Sequence, residues 1–102
     1  MEQLGTPQVG QIVKVLRGRE ETKFAVIVSI VDNKFVLIAD GDKRKFDLPK
    51  KKNILHLQLM DEIPAEVETS LKETGRVTNG KLRFALKRFS DKMQSSTDER
   101  GE

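Results

Sequence analysis

Lysine and arginine are the residues of this chain whose spacing points to a chemistry. Lys43, Arg44 and Lys45 are followed by Lys50, Lys51 and Lys52, six cations within ten residues and opposed only by Asp47. So dense a set attracts a polyanionic backbone, and neutralising several phosphates makes affinity fall steeply with salt. A second set, Arg17, Arg19 and Lys23, gathers around Gly18. Arginines projecting from a tight turn suit bidentate, charge-assisted hydrogen bonds to phosphate. A third set follows near the end of the chain, with Arg83, Lys87 and Arg88 flanked by Lys81 and Lys92. Each set also has an ordinary use. Lysines protect exposed sheet edges, loop arginines keep a hairpin tip soluble, and helix cations pair with nearby acids for about 0–1 kcal/mol when exposed. Six cations are more than edge protection requires, and phosphate contact is the expectation for the Lys43–Lys52 set.

Other chemistries are poorly supplied. The 102 residues include no Cys, Trp or Tyr and a single His, which removes thiolate metal sites, disulfides and cysteine nucleophiles and leaves few general acid–base groups. His56 has no second His nearby to share a metal. Asp40 and Asp42 flank Gly41 and are expected to shape a turn rather than to act as paired catalytic carboxylates. No nucleotide-binding glycine loop occurs. No enzyme activity, cofactor or metal is expected. The longest apolar stretch, Phe24–Val31, falls short of the ~20 residues that span a bilayer, and the N-terminus lacks the basic and apolar regions of a signal peptide. The expectation is a cytoplasmic protein.

The net charge of +3 conceals strong segregation. Residues 11–52 carry eleven basic and six acidic side chains, residues 61–75 five acids and one Lys, and residues 76–92 six basic residues and one Asp. Two basic stretches are thus separated by an acidic one.

The elements that must position these charges are short. Val9–Leu16, closed by Gly18, and Phe24–Val31 are rich in β-branched residues. In the second, Phe24, Val26, Val28 and Ile30 share one face while Ala25, Ile27 and Val31 make the other apolar, as in a strand covered on both sides. Asp32-Asn33 is a turn leading to Phe35–Ala39, and Asp40-Gly41 a hairpin turn, since Gly accepts backbone conformations costly to other residues. A fourth strand is expected over Lys43–Leu48, with Phe46 and Leu48 inward, and a fifth around Ile54–Leu57. Five short strands joined by tight turns point to a partly closed antiparallel barrel. The short strands favour an SH3-like over an OB-like form.

Beyond residue 60 the pattern becomes helical. Pro64 suits a first turn, Ile63, Val67 and Leu71 recur every four residues, and Gly75 caps the end. A second helix begins near Thr78 or Asn79 and buries Leu82, Ala85, Leu86, Phe89 and Met93. Phe84 points away from that stripe, among the cations. It is expected to pack on the barrel or the acidic helix, the alternatives being an exposed base or a partner protein. The polar tail should fray.

The stretch Gly10-Gln-Ile-Val-Lys-Val-Leu-Arg-Gly-Arg-Glu resembles the KOW motif of ribosomal proteins and NusG-type transcription factors, with Gly18 at the motif's glycine. The continuation through Ile38, then Ala39-Asp-Gly-Asp-Lys-Arg-Lys45 and Lys50-Lys-Lys-Asn-Ile-Leu-His-Leu57, is similar to archaeal and eukaryotic large-subunit ribosomal protein fourteen and to related small bacterial KOW-domain RNA-binding proteins. The similarity covers residues 9–59 well and the helical segment more loosely. It implies an SH3-like barrel, no catalysis and contact with ribosomal RNA. One departure stands out: the loop often carries a second Gly after a Lys, and here Glu20-Glu21-Thr22 occupies it, lowering the loop's positive field.

The expectation is therefore a mainly β protein: a five-stranded SH3-like (KOW) barrel over 7–60, a helical extension over 61–92 and a disordered tail over 93–102. It would act as a monomeric, non-enzymatic module binding ribosomal RNA or the ribosome in translation or ribosome assembly. The alternative is a protein-interaction module of the transcription or translation machinery that uses the barrel and the acidic helix.

Overall fold

The β-branched stretches form five strands: β1 (Ile12–Val15), β2 (Phe24–Ile30), β3 (Phe35–Ala39), β4 (Lys50–Asn53) and β5 (Leu57–Leu59). Two helices follow, α1 (Ala65–Thr74) and α2 (Asn79–Gly101). In this computed structural model the described residues are 6–101, with side chains described over 6–93. The tail expected over 93–102 therefore lies, from residue 94 onward, outside the residues with described side chains.

Every neighbouring strand pair is antiparallel, in the order β4-β3-β2-β1-β5. β4 and β5, adjacent in sequence, thus stand at opposite edges of the sheet. A single 3-10 turn, Ile54–His56, joins them. Asn53 starts that turn by accepting the Leu55 N–H on its Oδ1 at 2.8 Å.

The central strand β2 buries both faces, as its sequence requires. Val26 and Val28 join Ile12 and Ala39 in one cluster, covered by Val67 and Leu71 of α1 and by Leu82, Ala85 and Phe89 of α2. Phe24 meets the Phe89 ring edge-on at 5.2 Å between centroids. The opposite cluster holds Val13, Val15, Ala25, Ile27, Val36, Ile38 and Leu57, all from the strands themselves. Ile12, Ile27, Ile38 and Leu82 are fully buried, each contributing about 1.5–3 kcal/mol through apolar area removed from water. The register shifts between Ile27 and Ser29, leaving Val28 as an extra residue in β2. A bulge reverses side-chain parity. Ile30 consequently stands opposite Val36 and does not share the face of Val26, correcting the simple alternation read from sequence.

Residues 43–48 are not a strand. Asp40 Oδ1 accepts the N–H groups of Asp42 and Arg44, both at 2.8 Å, and Arg44 O accepts those of Asp40 and Gly41. The chain is wound into a loop that cannot pair with β3. Phe46 still packs toward the helices, but Leu48, expected inward, is 75% exposed. The fourth strand is instead the lysine run, pairing Lys50, Lys51 and Lys52 with Ile38, Leu37 and Val36. The last strand likewise begins at Leu57, three residues later than expected, because the 3-10 turn occupies Ile54–His56.

The start of each helix and the end of α1 follow from the residues there. Pro64 precedes α1, and Gly75 ends it in a left-handed conformation with its N–H donated to Leu71 O. Thr78 caps α2 by accepting the Lys81 N–H on Oγ1. Asn79 turns its side chain elsewhere, accepting the Phe46 N–H at 2.7 Å and fastening the 40–49 loop to the helix.

Candidate nucleic-acid interface

The edge strand β4 presents its lysines in alternation. Lys51 is exposed and its ammonium sits 4.7 Å from the centroid of the Phe35 ring. Lys52 reaches across to the β1–β2 loop, donating to Arg17 O at 2.8 Å. That hydrogen bond brings together two basic sets separated by over thirty residues in sequence. Arg17, Arg19 and Lys23 are exposed on the loop. Among the described residues, neither they nor Lys43, Lys45, Lys50, Lys51 or Lys52 enters an ion pair, so no carboxylate neutralises their charge.

The acids expected to blunt this loop are unequal in effect. Glu20 is directed toward Arg44, its Oε2 standing 3.9 Å from Arg44 Nε, while Glu21 remains exposed. Arg44 is half-buried, and its Nε is buried without a hydrogen-bond acceptor. Gly18 has φ +103°, and a Cβ there would come within 3.1 Å of Lys52 Nζ. Thr22, near the end of the same loop, has φ +75°, a left-handed value unusual for a β-branched residue.

The 40–49 loop links these sets to α2. Arg83 donates from Nη1 to Gly41 O at 2.7 Å, and Gly41 has φ +81° and lies directly against Asn79, Leu82 and Arg83. Lys43 and Lys45 project from the same loop and are exposed. Gly10 lies buried against Glu68 of α1.

The helix cations divide by face. Arg88 donates to Glu66 Oε2 at 2.7 Å, Lys92 lies 3.5 Å from Glu62 Oε1, and Lys87 pairs with Asp91 at 3.4 Å. Glu68 is engaged by Lys72 at 3.0 Å. Much of the acidic field of α1 is therefore neutralised within the molecule. Phe84, expected to pack inward, is 60% exposed, correcting that expectation. Its angular position lies opposite the buried stripe of Leu82, Ala85 and Phe89. Among the described residues no group of three His, Cys, Asp or Glu side chains is placed to hold a metal ion, and no helix is long and apolar enough to cross a membrane.

The arrangement can hold a polyanion along an exposed edge strand and an adjoining loop, through unpaired cations on a rigid sheet. No family model matches the chain. A protein of Bacillus subtilis (strain 168), "Putative ribosome-binding protein YbzG", is 49% identical over 71 residues, which is 70% of this chain and 96% of that protein. The chain belongs to the same family as that protein.

Proposed function

We propose that this chain is a non-enzymatic RNA-binding module that contacts ribosomal RNA on the ribosome. The observation that carries the reading is the junction of Lys52 with Arg17, which merges the β4 lysines and the loop arginines into one cationic edge. The ribosome-binding description of the Bacillus relative supports the same target. Lys43, Lys45, Lys50 and Lys51 supply phosphate contacts, Arg17, Arg19 and Lys23 add loop contacts, and Lys52 both contributes charge and fixes the loop.

The scaffold in this reading is a KOW-type, SH3-like barrel over residues 7–60 with the helices of 61–92 packed on its outside. Two features support it. The cluster of Val13, Ala25, Ile27 and Val36 is buried by residues of the strands and by Ile54 of the 3-10 turn, with no residue of α1 or α2 in it, and a sheet covers its own face by curling on itself. A 3-10 turn also connects the two edge strands, carrying the chain from one side of the sheet to the other.

Sedimentation with ribosomes at rising salt tests the proposal. The protein is expected to co-sediment at low salt and to be released steeply as salt rises. The double variant Lys50→Ala, Lys51→Ala is expected to lower the log–log salt slope by roughly one unit for each phosphate that it no longer neutralises. No co-sedimentation at low salt, together with no crosslinked RNA, would sink it. The paired state of Glu62, Glu66 and Glu68 weighs against an acidic docking surface for a basic protein.

A further inference from the structure

Phe84 is the one large apolar side chain on the outer face of α2 among the described residues, and it stands 60% exposed. Leaving a phenyl ring in water is unfavourable, and this ring is not among the residues packed on either core cluster. Arg88, one turn further on, holds its guanidinium carbon 5.2 Å from the ring centroid. The guanidinium is itself fixed by Glu66 of α1 at 2.7 Å. Lys81 and Arg83 are exposed nearby in sequence, and Arg83 is anchored on Gly41. One turn before Phe84 lies Gly80, where an added Cβ would find only Arg83 Nη2, at 3.9 Å. Neither packing nor a left-handed backbone requires glycine there. Helical side chains lean toward the N-terminus, so the missing side chain clears the surface onto which the Phe84 ring leans.

We propose that Phe84 and Arg88 form a stacking platform for one unpaired RNA base, with Gly80 leaving its approach open. This rests on the RNA-binding reading and goes beyond it, since the β4 edge recognises only phosphate charge whereas the platform distinguishes single-stranded from duplex RNA. Aromatic faces and arginine planes both stack on bases of any identity. A protein partner fits less well. Among the described residues no other large apolar side chain is exposed on this face of α2, Met93 lying on the other side of the helix, and apolar docking sites are contiguous patches.

The chain contains no Trp or Tyr, so Phe84→Trp introduces a single tryptophan fluorophore at the platform. The full chain carrying this substitution is titrated with a single-stranded oligoadenylate and with a blunt RNA duplex of equal phosphate number. Saturable quenching by the single strand, with little by the duplex, is expected. Phe84→Ala should weaken single-strand binding roughly tenfold and leave duplex binding nearly unchanged. Gly80→Leu should do the same while Phe84 stays in place, and an unchanged thermal melt shows that the fold is intact. If Phe84→Ala binds the single strand as tightly as the parent, the platform is overturned while the RNA-binding reading stands. If the parent binds neither RNA, the broader reading fails as well. A fluorescence response to RNA-free ribosomal proteins and not to either oligonucleotide would assign the ring to protein docking and overturn the platform.

Discussion

The ammonium of Lys52 on β4 lies 2.8 Å from the carbonyl oxygen of Arg17 in the β1–β2 loop. Gly18 follows immediately, and its bare Cα leaves the space that the ammonium enters. Lys52 thus orients the backbone from which Arg17 and Arg19 project. Lys52→Met keeps the aliphatic stem and removes the donor. It should cost about 1 kcal/mol or less, because the bond is exposed. Its sharper signature is local: the amides of Glu21 and Thr22, which donate to Gly18 O and Val15 O, should exchange with solvent faster than in the parent. Unchanged exchange at both amides would show that the loop holds itself without Lys52.

Thr22 carries a second consequence for that loop. Its φ of +75° is one that glycine adopts freely and a β-branched residue does not. A left-handed conformation costs an L-residue roughly 1–2 kcal/mol, and glycine's larger unfolded-state entropy returns up to about 1 kcal/mol of any gain. Thr22→Gly should therefore stabilise the protein by about 0.5–1 kcal/mol, raising Tm by roughly 2–6 °C for a domain of this size. Differential scanning calorimetry decides it. A lowered Tm would mean that the Thr22 side chain stabilises the turn by more than its backbone strain.

What could be read in the sequence depended on how local the deciding interactions are. β2 was legible because Phe24–Ile30 is apolar at both parities, and burial on both faces followed. The loop after Asp40 was not, since Phe46 and Leu48 imitate strand alternation. The outcome there is set by Asp40 accepting two backbone N–H groups and by Asn79 reaching back to Phe46. A strand made of Lys50, Lys51, Lys52 and Asn53 carries no apolar signal, because an edge strand is pinned by its neighbour's backbone. The cationic sets were visible one by one. Their junction was not, because Lys52 and Arg17 meet only after the sheet forms. Glu20, adjacent to Arg19 in sequence, is drawn instead toward Arg44.

The 40–49 loop and α2 meet at a point with no room for a side chain. A Cβ on Gly41 would overlap the Asn79 carbonyl oxygen and press to 3.0 Å from Leu82 Cβ, at a residue whose φ is +81°. Gly41→Ala combines a left-handed penalty with overpacking and should cost roughly 3 kcal/mol or more. It should also loosen Arg83 from Gly41 O. Gly80→Ala serves as the control, since its Cβ meets only Arg83 Nη2, at an ordinary contact distance of 3.9 Å, and the change gains helix propensity, for an effect between neutral and about 1 kcal/mol stabilising. Urea denaturation of both variants checks the contrast, and equal midpoints would remove the claimed close approach.

Asp32 sets the turn between β2 and β3 and does so as a carboxylate. Its Oδ1 accepts the N–H groups of Lys34 at 2.8 Å and Phe35 at 2.9 Å. Those two backbone bonds are the main reason its pKa falls below the usual carboxylate value, with the positive charges of Lys51 and Lys34 adding to the effect. A carboxyl group depressed in the folded state contributes stability that is fully present above its unfolded pKa of about 3.9 and lost as pH falls through the folded value. Asp32→Ala should therefore be less stable than the parent at neutral pH, and the difference should shrink on acidification below about pH 4. NMR titration of the Asp32 carboxyl carbon should give a midpoint below that of an unstructured peptide. Lys51→Ala should move that midpoint slightly upward without abolishing the shift, since the backbone bonds remain. A stability gap independent of pH would mean that the turn is held by the shape of the Asp32 side chain and not by its charge.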